Sequence, residues 1–490
     1  MIGSELLTDP LWEPKHLGQA IPPSPHAVSV ALPRWEDVIA YEEKDPECIN
    51  NLQSIYPRFG LHPFLKAVGE KALNLHLKGA NSAWPYPNII TAKKAKEYCN
   101  QINNNAQITI KEVAGLQCLI VDSNTTPAAK AFWQHTGLGA SSRQAAIALN
   151  KEKTPSKNAG EHARTAIRNR LAKIYGCESN LIQLHPSGMA ALTTALEALQ
   201  KCRPQNRTMQ LGFPYVDVLK LPQEIFNGCE LILNLDPLKL ANQLDKKKPS
   251  ALIVELPSNP MLECVDLPLI AKIAHEKGIP VIADDTIGSA ININPLPYAD
   301  IIFTSLTKSF AGCGDILAGS LVISPESQWK QTLQELFSIE PFSHLSDADA
   351  IPLAEASKDV TTRVNLLNQS CMQLKTRLEN HPQIKKVHHP EYCQNFQSIM
   401  RAHGGYGCLL SFELSGGIHK AKRFYNSLKV CKGPSLGTMF TLACPYVLLA
   451  HYKELDWAQK CGVPPALIRV SVGIENAEDL WDRFKTALES

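Results

Sequence analysis

The spacing of apolar positions divides the chain into stretches of different character. The first sixty residues have little regular period and are broken by prolines, as in IPPSPHAVSVALPRW and YPRFGLHP. Such a segment wraps over another surface more readily than it builds a core of its own. From 62 to about 80 (HPFLKAVGEKALNLHLKG) apolar residues recur at helical spacing and stop at Gly79, which predicts a helix. GLQCLIVDS at 115–123 predicts a strand. SSRQAAIALNKEKTPSKNAGEH at 141–162 is polar and rich in small residues, and predicts a loop or mobile helix ends.

The middle of the chain alternates short, continuously apolar runs with helical patterns. LIQLHPSG (181–188) leads into MAALTTALEALQK, and ALIVELPSN (251–259) into LPLIAKIAHEKG; IPVIADDT (279–286) and DIIFTSLTKS (300–309) follow. Apolar strands joined by helices predict an α/β fold with a mostly parallel sheet covered on both faces. Each run ends in small or polar residues. Ligands of open α/β sheets sit beyond the carboxyl ends of the strands, so four such ends point to one shared site. The last 150 residues read as a separate α+β unit: a long amphipathic helix (RVNLLNQSCMQLKTRLENHP), two strands (GCLLSFELSGG, LIRVSVGIE) and a closing helix (AEDLWDRFKTALES). The expected division is an arm over 1–70, an inserted segment over 71–164, a large domain over 165–340 and a C-terminal domain over 341–490.

Composition narrows the class. The 490 residues are 44% hydrophobic and 20% charged, which excludes a disordered chain, a coiled coil or a collagen-like fibre. Lys plus Arg is 49 against 47 for Asp plus Glu, a net charge of +2 that gives no support for bulk binding to nucleic acid or to an anionic membrane. The fourteen cysteines include no CxxC pair, and Cys461 has no nearby histidine, so reduced thiols are expected rather than a zinc site. The opening MIGSELLTDPLWEPKH lacks an apolar core of secretory length, and no run approaches the ~18 apolar residues of a membrane span. A cytoplasmic protein without membrane or nucleic-acid partners is the expectation.

Three strand ends carry candidate chemistry. Lys308 follows an apolar strand and is flanked by Ser305, Thr307 and Ser309. A buried ammonium is costly unless paired or neutralised, and a neutral lysine forms an imine with an aldehyde. A solvated lysine at a strand end is the plainer alternative, and for Lys308 alone the better one. Asp284 in VIADDT could hold a pyridinium nitrogen protonated, or simply cap the next helix. Ser187 and Gly188 precede a helix whose free N–H groups could bind phosphate, or mark an ordinary strand-to-helix turn.

Taken together and in this order, these residues resemble the pyridoxal-phosphate enzymes of cysteine and methionine transsulfuration: cystathionine γ-synthases, γ-lyases, β-lyases and their relatives. The resemblance covers about 165–490 and, more weakly, 20–70. HAVSVALPRWEDVIAYEE and SLGTMFTLACPYVLLAHYKELDWA are most similar to the longer, fungal-type cystathionine γ-synthases. It implies a fold-type I architecture, with a mixed, mostly parallel seven-stranded sheet and a smaller C-terminal α+β domain, and pyridoxal 5′-phosphate as cofactor. It implies that Lys308 carries the cofactor, that Asp284 pairs with its ring nitrogen, and that Ser305, Thr307, Gly188 and Met189 hold its phosphate. Asn259 in PSNP falls near the phenolic oxygen. Tyr56 and Arg58 in YPRF match a pair that, in the family, reaches across a dimer interface to the neighbour's phosphate. Arg469 and Ser435 match the substrate-carboxylate site, the bidentate task that arginine suits.

The resemblance also has departures. In LGFPYVDVLK an ungapped match puts Phe213 on the cofactor ring, where the family has a tyrosine, and moves Tyr215 two places on. Phe213 could stack but not donate a proton, so the proton traffic falls to Tyr215 or to Lys308. Asp285 replaces the usual asparagine, an extra carboxylate that could shift its neighbours' pKa values. The implied reaction is γ-replacement of an activated homoserine ester by cysteine. Cystathionine or methionine γ-lyase activity, γ-replacement with another nucleophile, and a cofactor-binding protein without catalysis are the alternatives. A homodimer or homotetramer acting on small amino acids is implied.

Overall fold

The computed structural model describes residues 3–57, 59–75, 81–204, 206–339 and 343–490. Its centre is a seven-stranded sheet formed, in chain order, by β1 (Ile182–His185), β2 (Thr208–Leu211), β3 (Cys229–Ile232), β4 (Leu252–Glu255), β5 (Val281–Asp284), β6 (Ile301–Ser305) and β7 (Gly319–Ile323). The spatial order is β1-β7-β6-β5-β4-β2-β3. β7 runs antiparallel to both its neighbours, and the other pairs are parallel. The expected mixed, mostly parallel α/β sheet is therefore observed. Every residue of β4 and β5 is buried, because helices cover both faces. This is why these strands read as continuous apolar runs rather than as alternation.

The C-terminal unit carries a second sheet of five strands in the order Ile384–His388, Leu409–Leu414, Ile468–Ser471, Leu442–Pro445, Cys431–Lys432. The helices Val360–Glu379, Gly417–Ser427 and Ala477–Glu489 pack on it through Leu374, Phe424 and Phe484.

The N-terminal arm has no core of its own and borrows this one. Val30, Leu32, Trp35 and Val38 join the C-terminal core. Backbone groups of the arm are met by buried side chains: Lys432 Nζ donates to Pro33 O at 2.8 Å and Tyr425 Oη to Leu32 O at 2.8 Å. The helix predicted over 62–80 runs from Pro63 to Asn74, and residues 76–80 lie outside the described residues.

Residues 82–121 form a small antiparallel sheet ordered Ser82–Tyr86, Leu116–Val121, Ile108–Val113. The strand Leu116–Val121 is apolar on both faces. Leu119 and Val121 pack with Phe132 of the helix Thr126–Thr136, whereas Cys118 and Ile120 pack with Leu65 and Ala145 on the other side. Side-chain hydrogen bonds clamp this layer to the large domain. Thr193 Oγ1 donates to Thr136 O at 3.0 Å, Ser187 Oγ to Gly137 O at 3.0 Å, and Arg143 to Asp315 O at 2.6 Å.

In the stretch 141–162 the expected loop is confined to the residues between two helices, and a helix start is present as the alternative reading had it. The stretch contains the helix Ser142–Ala148, opened by a capping box between Ser141 and Gln144, and the start of the helix Lys157–Tyr175, capped by Ser156. Apart from Arg143 its buried residues are small, Ala145, Ala146 and Ala148 among them, so close packing replaces the bulky apolar face that a period search detects. The boundary expected at 164/165 falls inside that second helix. None of the fourteen cysteines is in a disulfide, and among the described residues no helix is long and apolar enough to cross a membrane.

Candidate active site

The ends of β1, β4, β5 and β6 open into one cavity, walled on its far side by the arm, the inserted layer and the C-terminal unit. Lys308 lies three residues past β6 and is buried. Its Nζ donates to Ser435 Oγ at 3.0 Å and to Tyr56 Oη at 3.2 Å, and sits 5.0 Å from the Tyr56 ring centroid. Lys308 is therefore not the solvated strand-end lysine of the plainer reading.

Asp284 ends β5, one strand away, and is buried. Burial drives its carboxyl up to about 7; hydrogen bonds from Thr286 oppose the shift, and Asp285 adds to it. The cap alternative is met in part, since Thr286 N–H donates to Asp284 Oδ1 at 2.9 Å. Asp285 faces away from the cavity, held by Tyr175 Oη at 2.7 Å and Thr304 Oγ1 at 2.5 Å, and burial raises it to about 6.

Glu255 pairs with Asp284 across β4 and β5 and belongs to the same wall. Its Oε2 accepts the backbone N–H groups of Tyr215 at 2.9 Å and Asn259 at 3.1 Å. Desolvation first, and Asp284 second, raise its carboxyl well above the usual range. Sequence reasoning passed over this residue, although a charge at the end of an apolar run (ALIVEL) is the signal that marked Asp284.

Two turns close the floor. Ser187 caps the helix Gly188–Cys202, so the N–H groups of Gly188 and Met189 stand at a free helix N-terminus. Glycine is required at 188, where a Cβ would come 2.9 Å from Ser305 Cβ. Ser305 is half-buried in the cavity wall, and the buried Thr307 hydroxyl receives Ala318 N–H at 3.0 Å.

Arg469, on the strand Ile468–Ser471, donates through NH2 to Ser435 O at 2.7 Å and through NH1 to Asn259 Oδ1 at 3.4 Å. Its buried Nε has no hydrogen-bond partner among the described residues. Ser435 adopts φ 90°, a left-handed conformation costing about 1–3 kcal/mol in a non-glycine residue. The turn that aims its hydroxyl at Lys308 and its carbonyl at Arg469 is held against that strain.

The structure thus gathers Lys308, Asp284, Ser305, Thr307, Gly188, Met189, Asn259, Tyr215, Tyr56, Arg469 and Ser435 around one cavity. Arg58 lies outside the described residues. Phe213 is a correction: it is buried in the C-terminal core, 5.3 Å from His451 and 5.4 Å from Trp457 between ring centroids. The chain bends at Gly212 and Phe213 before the helix Val216–Glu224, and Tyr215, at its N-cap, faces the cavity instead. Tyr56 Oη lies 3.2 Å from Nζ of the Lys308 of its own chain. The inserted layer adds Trp133, Gln134, Ser141 and Ser142 to the wall, and the arm adds His26 and His62. Burial and the nearby His26 lower His62 to about 4. None of these six carried a sequence signal.

A buried amine, an acid one strand away, a glycine-floored helix N-terminus with hydroxyls beside it, and an arginine with a free edge fit an amino-acid-processing cofactor with an aldehyde, a basic ring nitrogen and a phosphate. The class is that of pyridoxal-phosphate enzymes on an open α/β sheet. The chain belongs to the Cys/Met metabolism PLP-dependent enzyme family, whose profile matches residues 122–489. It is 29% identical to a cystathionine gamma-synthase of Neurospora crassa over 97% of this chain and 98% of that protein. It is 30% identical to an L-2-amino-4-chloropent-4-enoate dechlorinase/desaturase of Streptantibioticus cattleyicolor, over 96% and 97% of the two chains. The fold is similar to that of the solved cystathionine gamma synthase of Xanthomonas oryzae pv. oryzae, with a TM-score of 0.60 and 24% identity, covering 69% of this chain and 88% of that one.

Proposed function

We propose that the chain catalyses γ-replacement, converting an O-acyl-L-homoserine and L-cysteine into L-cystathionine and a carboxylate. The observation that carries this reading is the pairing of a buried amine, Lys308, with an arginine whose Nε is free for a carboxylate. Likeness to a cystathionine gamma-synthase along almost the whole chain supports the choice of reaction.

Lys308 would carry pyridoxal phosphate, Asp284 would pair with its ring nitrogen, and Gly188, Met189, Ser305 and Thr307 would hold the phosphate, with Asn259 near the ring. When bound, the cofactor supplies a sink for the electrons left when protons leave carbon. Arg469 forks the α-carboxylate and fixes Cα toward Lys308. The ε-amine of Lys308 would take the proton from Cα, hand it on to the bound cofactor, and so be neutral again to take one from Cβ as the acyloxy group leaves Cγ. Tyr56 and Ser435, both within hydrogen-bond reach of Nζ, keep the amine over the reacting carbons between transfers. The acid at 284 is raised chiefly by burial, with Asp285 adding to it, so a cationic ring beside it would restore the carboxylate. The arm and inserted layer wall the cavity, so they would govern which nucleophile, thiol or water, reaches Cγ.

The dechlorinase/desaturase relative favours a second reading, in which another γ-substituent leaves and no thiol adds. Incubation with O-acetyl-, O-succinyl- or O-phospho-homoserine and cysteine tests the first reading; cystathionine formation supports it. Release of 2-oxobutyrate or another eliminated product from the same esters, with no cystathionine, supports the second. A cytoplasmic homodimer or homotetramer in methionine and cysteine transsulfuration completes the proposal.

A further inference from the structure

Two cysteines far apart in the chain meet beyond the end of β4. Cys264 follows the turn Ser258–Glu263, which is closed by Ser258 N–H on Glu263 O at 2.9 Å and by Glu263 N–H on Ser258 Oγ at 3.2 Å. The same turn carries Asn259, which Arg469 reaches. Cys393 lies between the strands Ile384–His388 and Leu409–Leu414 of the C-terminal sheet, on a segment whose Phe396 and Ile399 pack into the core of the large domain. Cys393 Sγ accepts Cys264 N–H at 3.2 Å. Cys264 O lies 3.8 Å from the same sulfur and is engaged by Asn395 Nδ2 at 3.0 Å. With an N–Cα bond of about 1.46 Å, Cys393 Sγ is no more than about 4.7 Å from Cys264 Cα, which is within a disulfide's reach.

The two thiols differ in character. Burial is the leading influence on every cysteine except Cys393, and it raises each of them. Cys393 is half-buried. The hydrogen bond from the Cys264 thiol, joined by the N–H groups of Cys264, Phe396 and Asn395, outweighs that burial and lowers Cys393 to about 6. Cys264 is 8% exposed. Burial first, then its donation to Cys393 and the neighbouring Glu255 and Glu263, keep it protonated. A thiolate within reach of solvent, beside a buried thiol, is the arrangement of an attacking sulfur and its resolving partner.

We propose that Cys393 is a site of reversible oxidation by low-molecular-weight disulfides, and that Cys264 resolves the adduct into an internal disulfide stapling the Asn259 turn to the C-terminal unit. The Cys393 thiolate attacks one sulfur of the reagent, the reagent's S–S bond breaks, and one thiolate leaves. Cys264 then attacks Cys393 Sγ, the mixed disulfide breaks, and the second reagent sulfur leaves with the Cys264 proton. Two protein sulfurs are oxidised, and one reagent disulfide is reduced to two thiols. In a reducing compartment the bond is transient. The inference stands apart from the γ-replacement reading, because neither sulfur belongs to the cavity wall.

The test incubates holoprotein with 2-hydroxyethyl disulfide, quenches with acid and maps peptides without reduction. A peptide pair joined through Cys264 and Cys393 is expected, reversed by dithiothreitol and absent in Cys393→Ser. Its rate of formation falls less than about twofold between pH 8 and about pH 6.5, against ~20-fold for an ordinary thiol. Cys264→Ser stops at the mixed disulfide on Cys393. Because the bond closes a loop spanning 129 positions, the linked protein unfolds at least about 3 °C above the reduced one.

Mixed disulfides at 264 and 393 without a link, a preferred link between other cysteines, or a rate that falls ~20-fold over that pH range overturns the proposal. An unchanged unfolding temperature in fully linked protein overturns the staple. If Cys393→Ser does not fold, the arrest of Cys264→Ser at the mixed disulfide decides. A protein that links but forms no cystathionine refutes the γ-replacement reading and leaves this one standing.

Discussion

Replacing Arg469 by lysine isolates what the guanidinium fork contributes. The arginine spends NH2 on Ser435 O at 2.7 Å and reaches Asn259 Oδ1 only at 3.4 Å, leaving Nε free. An arriving carboxylate can thus take two charge-assisted bonds along one edge, from Nε and from the second hydrogen of NH2, which shares that edge. Lysine keeps the charge but not the planar pair, so one such bond is lost, about 2 kcal/mol. At 1.4 kcal/mol per decade this is roughly a 30-fold rise in KM for the homoserine ester. Because Arg469 does not touch the reacting carbons, kcat should fall by less than about fivefold. Initial rates with cysteine saturating measure both constants. The carboxamide analogue of the ester is the control, because it should distinguish wild type from Arg469→Lys far less than the acid does. An unchanged KM, or a kcat that collapses while KM and cofactor content hold, would refute the assignment.

Further outcomes follow from the same geometry. Gly188→Ala places a methyl 2.9 Å from Ser305 Cβ, so cofactor retention should weaken at least ~10-fold while the far-UV spectrum stays native; equilibrium dialysis against pyridoxal phosphate reads this. In the cofactor-free protein Asp284 is raised to about 7 by burial, so the native state binds a proton that the unfolded chain has already lost. Stability therefore falls as pH rises from about 4 toward 7. Asp284→Asn should raise the apoprotein's Tm above neutrality, and the gain should vanish near pH 4. Because Tyr56 lies on the lysine of its own chain, refolding a mixture of Tyr56→Ala and Lys308→Ala should recover no activity. Recovery toward a quarter of wild type would show that copies exchange this residue.

The large sheet was legible because buried parallel strands are unbroken apolar runs, and because Lys308 and Asp284 interrupt that pattern where a sheet binds ligands. Phe213 and Tyr215 were not separable by spacing. Which of them faces the cavity depends on the bend at Gly212 and Phe213 and on where the helix Val216–Glu224 starts. The segment 141–162 hid two helices because alanine faces give a weak period. The inserted layer showed its strand at 115–123 but not its task. Its reach to Ser187 and Asp217 is a matter of tertiary contact between residues fifty to eighty apart, which no local pattern records.

The central claim is that Lys308 is the residue to which the cofactor attaches. Borohydride treatment of the purified holoprotein followed by peptide mapping tests it directly. The account predicts loss of the visible band and a phosphopyridoxyl group on the peptide containing Lys308, with no label in Lys308→Ala. A label on another lysine, or a band that resists borohydride, would contradict it.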